Sequence, residues 1–184
     1  MASVVAVQSL SGTYRAQPVP SSFAFAVRHS GVFWYRGSLS DVTGTLRADG
    51  DALTLEGSAR VDSISVLQPA AMRASVLGPD FFDAENHPEI TFRSTAVRLA
   101  DDGRAEVDGE LTIKGVTRPV RVTGTVTAPM ADPYGNDRIG LNLAAAVDRT
   151  DFGVNWNTPL PSGEPALAND VKILAELQFV KAAS

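Results

Sequence analysis

Apolar and polar residues alternate along most of this chain with a period of two. The pattern starts at Leu10, Gly12 and Tyr14 and sharpens in SSFAFAVRHSG, where Phe23, Phe25, Val27 and His29 fall on one face. Strict alternation of this length predicts strands rather than helices. FWYRGSLSDVTGTLRADGD carries Gly37, Gly44 and an Asp-Gly-Asp turn, which predicts two strands joined as a hairpin. Leu53, Leu55, Gly57, Ala59, Val61 and Ser63 continue one face, with Glu56, Arg60 and Asp62 opposite.

The alternation breaks at Val66. VLQPAAMRASVLGP predicts one short helix over about 66–78, with Pro69 near its start and Gly78 just past its end. Met72, Val76 and Leu77 give it an apolar face. The chain then pivots through DFFDAENHPEITF, where Phe81 and Phe82 adjoin Asp80 and Asp83. At least one of these rings must be buried by the rest of the chain. Pro88 stops any helical turn, and Ile90, Phe92 and Ser94 resume the alternation. Further strand faces follow: Val107–Ile113, Val120–Ala128, Ile139–Arg149 and Val171–Phe179, the first two meeting at the turn Lys114-Gly115. Thr150–Asn169 reads as a long loop with three prolines.

About eight antiparallel strands and one helix predict an all-β single domain over 1–184, either a barrel or a sandwich. Small residues within the apolar faces favour a hollow barrel: Gly57, Ala59, Ser63, Gly109, Gly124, Ala145 and Ala175 stand where a filled core needs volume. The bland alternative is that glycines such as Gly109 and Gly124 only bend strands.

Composition narrows the chemistry. Sixteen Lys and Arg against 21 Asp and Glu give a net charge of −5, and no basic run points to nucleic acid or to a polybasic membrane patch. There is no cysteine, which excludes disulfides, thiol nucleophiles and cysteine-based zinc sites. The apolar stretch Val4–Val7 lacks a basic n-region and is too short for a signal core, and no segment reaches the roughly 20 apolar residues of a membrane helix. The expectation is a soluble, cytoplasmic protein. No nucleophile–base motif, phosphate loop or dinucleotide fingerprint occurs, so no catalytic residue is assigned. The two histidines lack spaced carboxylates, so no metal site or cofactor is expected.

Five blocks, FAVRHSG (25–31), TGTLR (43–47), DFFDAENHPEITFRST (80–95), GELTIKGVTRPV (109–120) and DRTDFGV (148–154), together resemble the YceI-like family in the same order and over nearly the whole chain. That resemblance implies an eight-stranded, lipocalin-like antiparallel barrel, with the helix near one end. It also implies binding of a long polyisoprenoid, such as a prenyl quinone or polyprenyl phosphate. Many members carry a signal peptide, which is not visible here.

The candidate ligand-binding residues are Phe23, Phe25, Val27, His29, Met72, Phe81, Phe82, Phe92, Leu141, Leu143, Arg149, Phe152 and Trp156. One of Phe81 and Phe82 is expected to plug the barrel end. His29 is either a hydrogen-bond partner for a head group or a structural histidine. Arg149, charged and in phase with apolar residues, needs a partner. It either pairs with a neighbouring Asp such as Asp151 or clamps an anionic head group. A non-enzymatic lipid binder is the leading reading. A lumenal enzyme or a filled, partner-binding barrel are the alternatives, and homodimerisation stays open.

Overall fold

The alternating stretches form strands that pair antiparallel with their neighbours, except that the face expected to run through Val61 and Ser63 ends at Arg60, and Val61–Ser63 form a 3₁₀ turn. A computed structural model describes residues 7–183; Val4, Val5 and Ala6 of the N-terminal apolar stretch lie outside the described residues. The strands are β1 Gly12–Ala16, β2 Ser22–His29, β3 Phe33–Leu39, β4 Val42–Asp49, β5 Ala52–Arg60, β6 Glu89–Leu99, β7 Arg104–Ile113, β8 Val116–Ala131, β9 Asp137–Asp148 and β10 Leu167–Lys181. Neighbours run β1-β4-β5-β6-β7-β8-β9-β10, and β10 pairs back to β1. Those eight strands close the barrel. The remaining two form the β2–β3 hairpin, which lies along the other part of β10. Long β10 makes this arrangement: Phe179–Lys181 pair with β1, and Leu167–Glu176 pair with β2.

Turn chemistry fixes the hairpins. Lys114 (φ 52°) and Gly115 (φ 75°) both take left-handed backbone between Ile113 and its partner Val116. Two consecutive left-handed residues give the turn whose twist matches that of paired strands. Gly50 (φ 60°) serves the β4–β5 turn.

Two expectations shift. The helix, α1, spans Ala70–Leu77, not 66–78. Pro69 caps it and excludes helical backbone at Gln68, so Val66–Gln68 stay outside. The last strand starts at Leu167, inside the expected loop, with an irregularity before Val171. The loop itself carries a 3₁₀ turn at Arg149–Phe152 and a bridge between Pro159 and Pro165.

The two ends of the barrel differ. At the end closed by β1, a packed cluster contains Tyr14, Leu46, Val107, Ile139, Leu141 and Phe179. The other end is rimmed by a second cluster, including Leu39, Val61, Ile64, Ile90 and Phe152, and roofed by the segment from α1 to Phe82. The small residues divide likewise. Gly57, Ala59, Ala145 and Ala175 border open lumen, whereas Gly109 is covered by the ring of Phe92. Gly124 lies against the backbone carbonyl of Asn142, where a side chain has no room. Ser63 accepts from the backbone of Ser40 and Asp41 instead of facing the lumen. Among the described residues, no helix is long and apolar enough to cross a membrane.

Candidate functional site

Strand alternation points the odd-numbered residues of β2, Phe23, Phe25, Val27 and His29, inward, and all four line one pocket. Register carries the same face onto the neighbours. Val27 stands opposite Tyr35 and Val171, and Phe25 opposite Gly37 and Ile173. The Phe25 ring lies over Gly37, which has no Cβ to block it. Phe25, Val27, Tyr35, Val171 and Ile173 wall a pocket of about 390 Å³ beneath the α1 segment. A smaller pocket of about 90 Å³ shares Phe23, Ile90, Val147 and Ile173 with it and reaches further down the barrel.

Of the candidates, Phe23, Phe25, Val27, His29, Met72, Phe81, Phe82, Arg149, Phe152 and Trp156 all border the larger pocket. Phe92 and Leu143 border the smaller one. Leu141 borders neither; it is fully buried in the filled end, where it packs against its neighbours. The alternation places Leu141 on the inner face, but not at which height the lumen is filled.

Both phenylalanines of the pivot enter the roof, rather than one. Phe82 meets Phe25 edge-on at 6.2 Å between ring centroids, and Phe81 packs on Trp156 at 5.4 Å. Lys114 fixes the roof by donating to the carbonyls of Pro79 (2.5 Å) and Gly153 (3.2 Å). The His87 ring lies against Gly115 at the same turn. Sequence reasoning missed Phe33 and Tyr35. Their signal is their phase with Gly37 across the hairpin, where Phe33 faces His29 and Tyr35 faces Val27.

Arg149 is the charged group of the site, and its expected pair with Asp151 does not form. It is 6% exposed and donates only to backbone carbonyls: Nε to Ala168 and Nη1 to Val154 and Trp156, each at 2.8 Å, and Nη2 to Leu167 at 3.3 Å. Asp151 is exposed, and the Asp148 carboxylate accepts from the Thr150 backbone and hydroxyl. Among the described residues, no carboxylate reaches ion-pair distance of Arg149. Burial lowers its pKa from the ordinary arginine value, and Asp148 partly opposes this; arginine nonetheless keeps its proton. The cation therefore organises the 149–168 loop without a counter-charge. A guanidinium has five donor hydrogens, so these four bonds leave one on Nη2.

His29 lies near the rim. Its Nδ1 is 3.0 Å from the Ser30 hydroxyl, and its ring lies 5.0 Å from that of Phe33. Burial also raises the Tyr35 phenol above its usual pKa, so it stays a neutral donor, here to the Met72 sulfur at 3.8 Å. No group of three or more metal-ligating side chains occurs among the described residues.

The family model for the YceI-like domain matches residues 14–179. The chain belongs to the YceI-like family. A UPF0312 protein of Pseudomonas savastanoi is 30% identical over 138 residues, covering 73% of this chain and 71% of the relative. One from Pseudomonas fluorescens is 31% identical over 135 residues, covering 72% and 70%. Among solved structures, Burkholderia cenocepacia BcnA superposes with a TM-score of 0.74 at 23% identity, over 89% of this chain and 98% of that one. A polyisoprenoid-binding domain from Saccharophagus degradans, implicated in plant cell wall breakdown, gives 0.67 at 11% identity, over 92% and 98%. These YceI-like folds share the barrel.

Proposed function

We propose that this protein binds a long-chain polyisoprenoid lipid, a prenyl quinone or polyprenyl phosphate, with its tail in the lumen and its head near Arg149 and His29. The observation that carries this is the roofed pocket of about 390 Å³ continuing into a narrower one, walled almost wholly by aromatic and aliphatic side chains. Its size falls in the ordinary range for small-molecule sites, roughly 300–1,000 Å³. Each buried CH₂ contributes about 0.8 kcal/mol, so one five-carbon isoprene unit gives about 4 kcal/mol. Association costs about 4–15 kcal/mol. A single unit is therefore held weakly, and several are needed for retention. The likeness to a polyisoprenoid-binding domain supports the ligand class, and a wall that is mostly aromatic and aliphatic supports binding over turnover.

The test is native mass spectrometry of freshly purified protein, with organic extraction of any bound species. A bound polyprenyl compound, recovered chemically unchanged, upholds the reading. A ligand-free mass is followed by titration with a prenyl quinone, observed through Trp34 and Trp156 fluorescence. Absence of a response in that titration refutes it in favour of a barrel without a lipid ligand. Replacing Arg149 separates its roles. Arg149→Ala leaves buried carbonyls unpaired and is expected to lower stability by roughly 3 kcal/mol, read by urea unfolding. If the remaining Nη2 hydrogen meets an anionic head, the variant also loses its preference for phosphate over quinone. An unchanged preference assigns Arg149 to the loop alone. The cytoplasmic placement expected from the sequence is checked by cell fractionation.

A further inference from the structure

Lining residues on β3 and α1 reach solvent, which marks that rim as a mouth of the pocket, and its surface is unusual. Phe33 and Met72 both line the pocket and are 48% and 44% exposed. Beyond them, Val32 on the β2–β3 turn is 76% exposed, and Leu67, on the approach to α1, is 63% exposed. Four of the eight exposed large apolar residues described for this chain thus stand on two short segments around one opening. Solvent contact for clustered side chains of this kind is unfavourable and marks an interaction surface.

The charge of the same segments is distinctive. The chain has 21 acidic residues, yet none falls within residues 17–40 or 64–79, the two segments that flank the opening. Cations do. On the outer face of the hairpin, Arg28 stands 5.3 Å and Lys172 4.5 Å from the centroid of the Trp34 ring. Arg36 pairs opposite Ala26, whose other neighbour is Lys172. No basic run exists in the sequence; strand pairing assembles this one. The acids on the neighbouring strands are Asp170 and Glu176 of β10 and Asp137 and Asp148 of β9. Asp148 is occupied by Thr150 with Asp170 beside it, Glu176 pairs opposite Ser22 at the other end of β2 from Arg28, and Asp137 pairs with Ala131 of β8.

We infer that the pocket rim docks on a lipid bilayer containing anionic phospholipid. Val32, Phe33, Leu67 and Met72 enter the interface, and Trp34, Arg28, Arg36 and Lys172 lie at the level of the head groups. Tryptophan favours that level because one end of the ring is apolar and the other donates a hydrogen bond. Basic side chains are drawn to the negative surface of such a leaflet. The apolar rim adds area that a purely electrostatic contact lacks. Docking places the mouth against the hydrocarbon, so a tail passes from bilayer to lumen without crossing water. The inference deepens the lipid-binding reading, and the two fail separately.

Flotation of the full chain with vesicles tests it, using phosphatidylcholine alone and phosphatidylcholine mixed with phosphatidylglycerol. Binding is expected to the mixed vesicles, to fall as salt is raised, and to be lost at least tenfold in Val32→Glu/Leu67→Glu. Arg36→Gln/Lys172→Gln is expected to weaken it about fivefold per cation removed. Neither pair includes a pocket-lining residue, so both variants keep wild-type prenyl quinone binding in detergent solution. No flotation, or equal flotation on both vesicle types that ignores the substitutions, overturns the inference. A change in solution mass on Val32→Glu/Leu67→Glu without loss of flotation also overturns it, because the rim then serves a protein contact. A wild-type chain that floats but takes up no prenyl quinone upholds docking and refutes the lipid-binding reading.

Discussion

Gly109 and Phe92 show how one residue shapes the lumen. An added Cβ at Gly109 would meet the Phe92 ring and, at 2.6 Å, the Arg93 carbonyl. The ring lies over the glycine, which fills the glycine position and keeps Phe92 against the wall beside the smaller pocket. Phe25 over Gly37 repeats the device across the hairpin. Gly109→Ala is therefore expected to destabilise the protein by about 1–3 kcal/mol through overpacking. Combining it with Phe92→Leu should recover part of the loss, since the longer ring is then gone; chemical unfolding of the single and double variants measures this coupling. The carbonyl contact persists in both, so full recovery would mean that the ring alone decides the cost.

At the level of elements, the roof and the outer β6–β7–β8 face behave differently. α1 has no buried residue, and its cap makes no side-chain hydrogen bond, so the roof is held by Arg73, which donates to the carbonyls of Asp62, Ile64 and Val66, and by Phe81, Phe82 and Lys114. Phe81→Ala/Phe82→Ala should shorten lipid retention more than it lowers the melting temperature; the reverse result makes both rings ordinary core. On the outer face, Arg98 and Arg121 converge on Asp108 at 2.8 and 2.7 Å, and both also approach Glu106. Hydrogen bonds from Arg121, then Arg98, lower the Asp108 pKa to about 2 from an ordinary value of 3.8. A depressed folded-state pKa means that the contribution is complete above about pH 4 and lost as pH falls towards 2. Asp108→Asn should remove this solvent-screened, and so small, contribution at pH 7, leave stability near pH 2 unchanged, and thereby flatten the acid limb between them; acid unfolding of the two proteins measures it.

For the whole molecule, the contrast is between a filled end and a roofed, hollow one. The filled end contains Val107, Ile139, Leu141 and Phe179, each almost wholly buried. Local opening is cheapest where few apolar contacts resist it. Amide exchange should therefore be slowest in β7 and β9 near the filled end and fastest in α1 and β3. Addition of a prenyl quinone should protect α1 and β3 selectively. Uniform protection across the barrel would instead indicate global stabilisation without closure of the roof.

Much of this was legible in the sequence. Period-two alternation follows from the pleat alone, so Phe23, Phe25, Val27 and His29 could be placed on one inner face before any pairing was known. Pro69, Pro88, Gly50 and Lys114-Gly115 mark breaks through local backbone sterics, which need no tertiary partner. Height within the barrel was not legible: Leu141 and Leu143 share a face, yet the first lies in packed core and the second beside the lumen, because register and the closing strand β1 set that difference. The partners of Arg149 were equally hidden, since four backbone carbonyls leave no side-chain signature. The cationic rim is also a product of pairing, which brings Lys172 beside residues 28–36 although about 140 positions separate them. Local sterics and periodicity thus determined the strands and their faces; long-range hydrogen-bond register alone decided what was filled, what was hollow and which charges met.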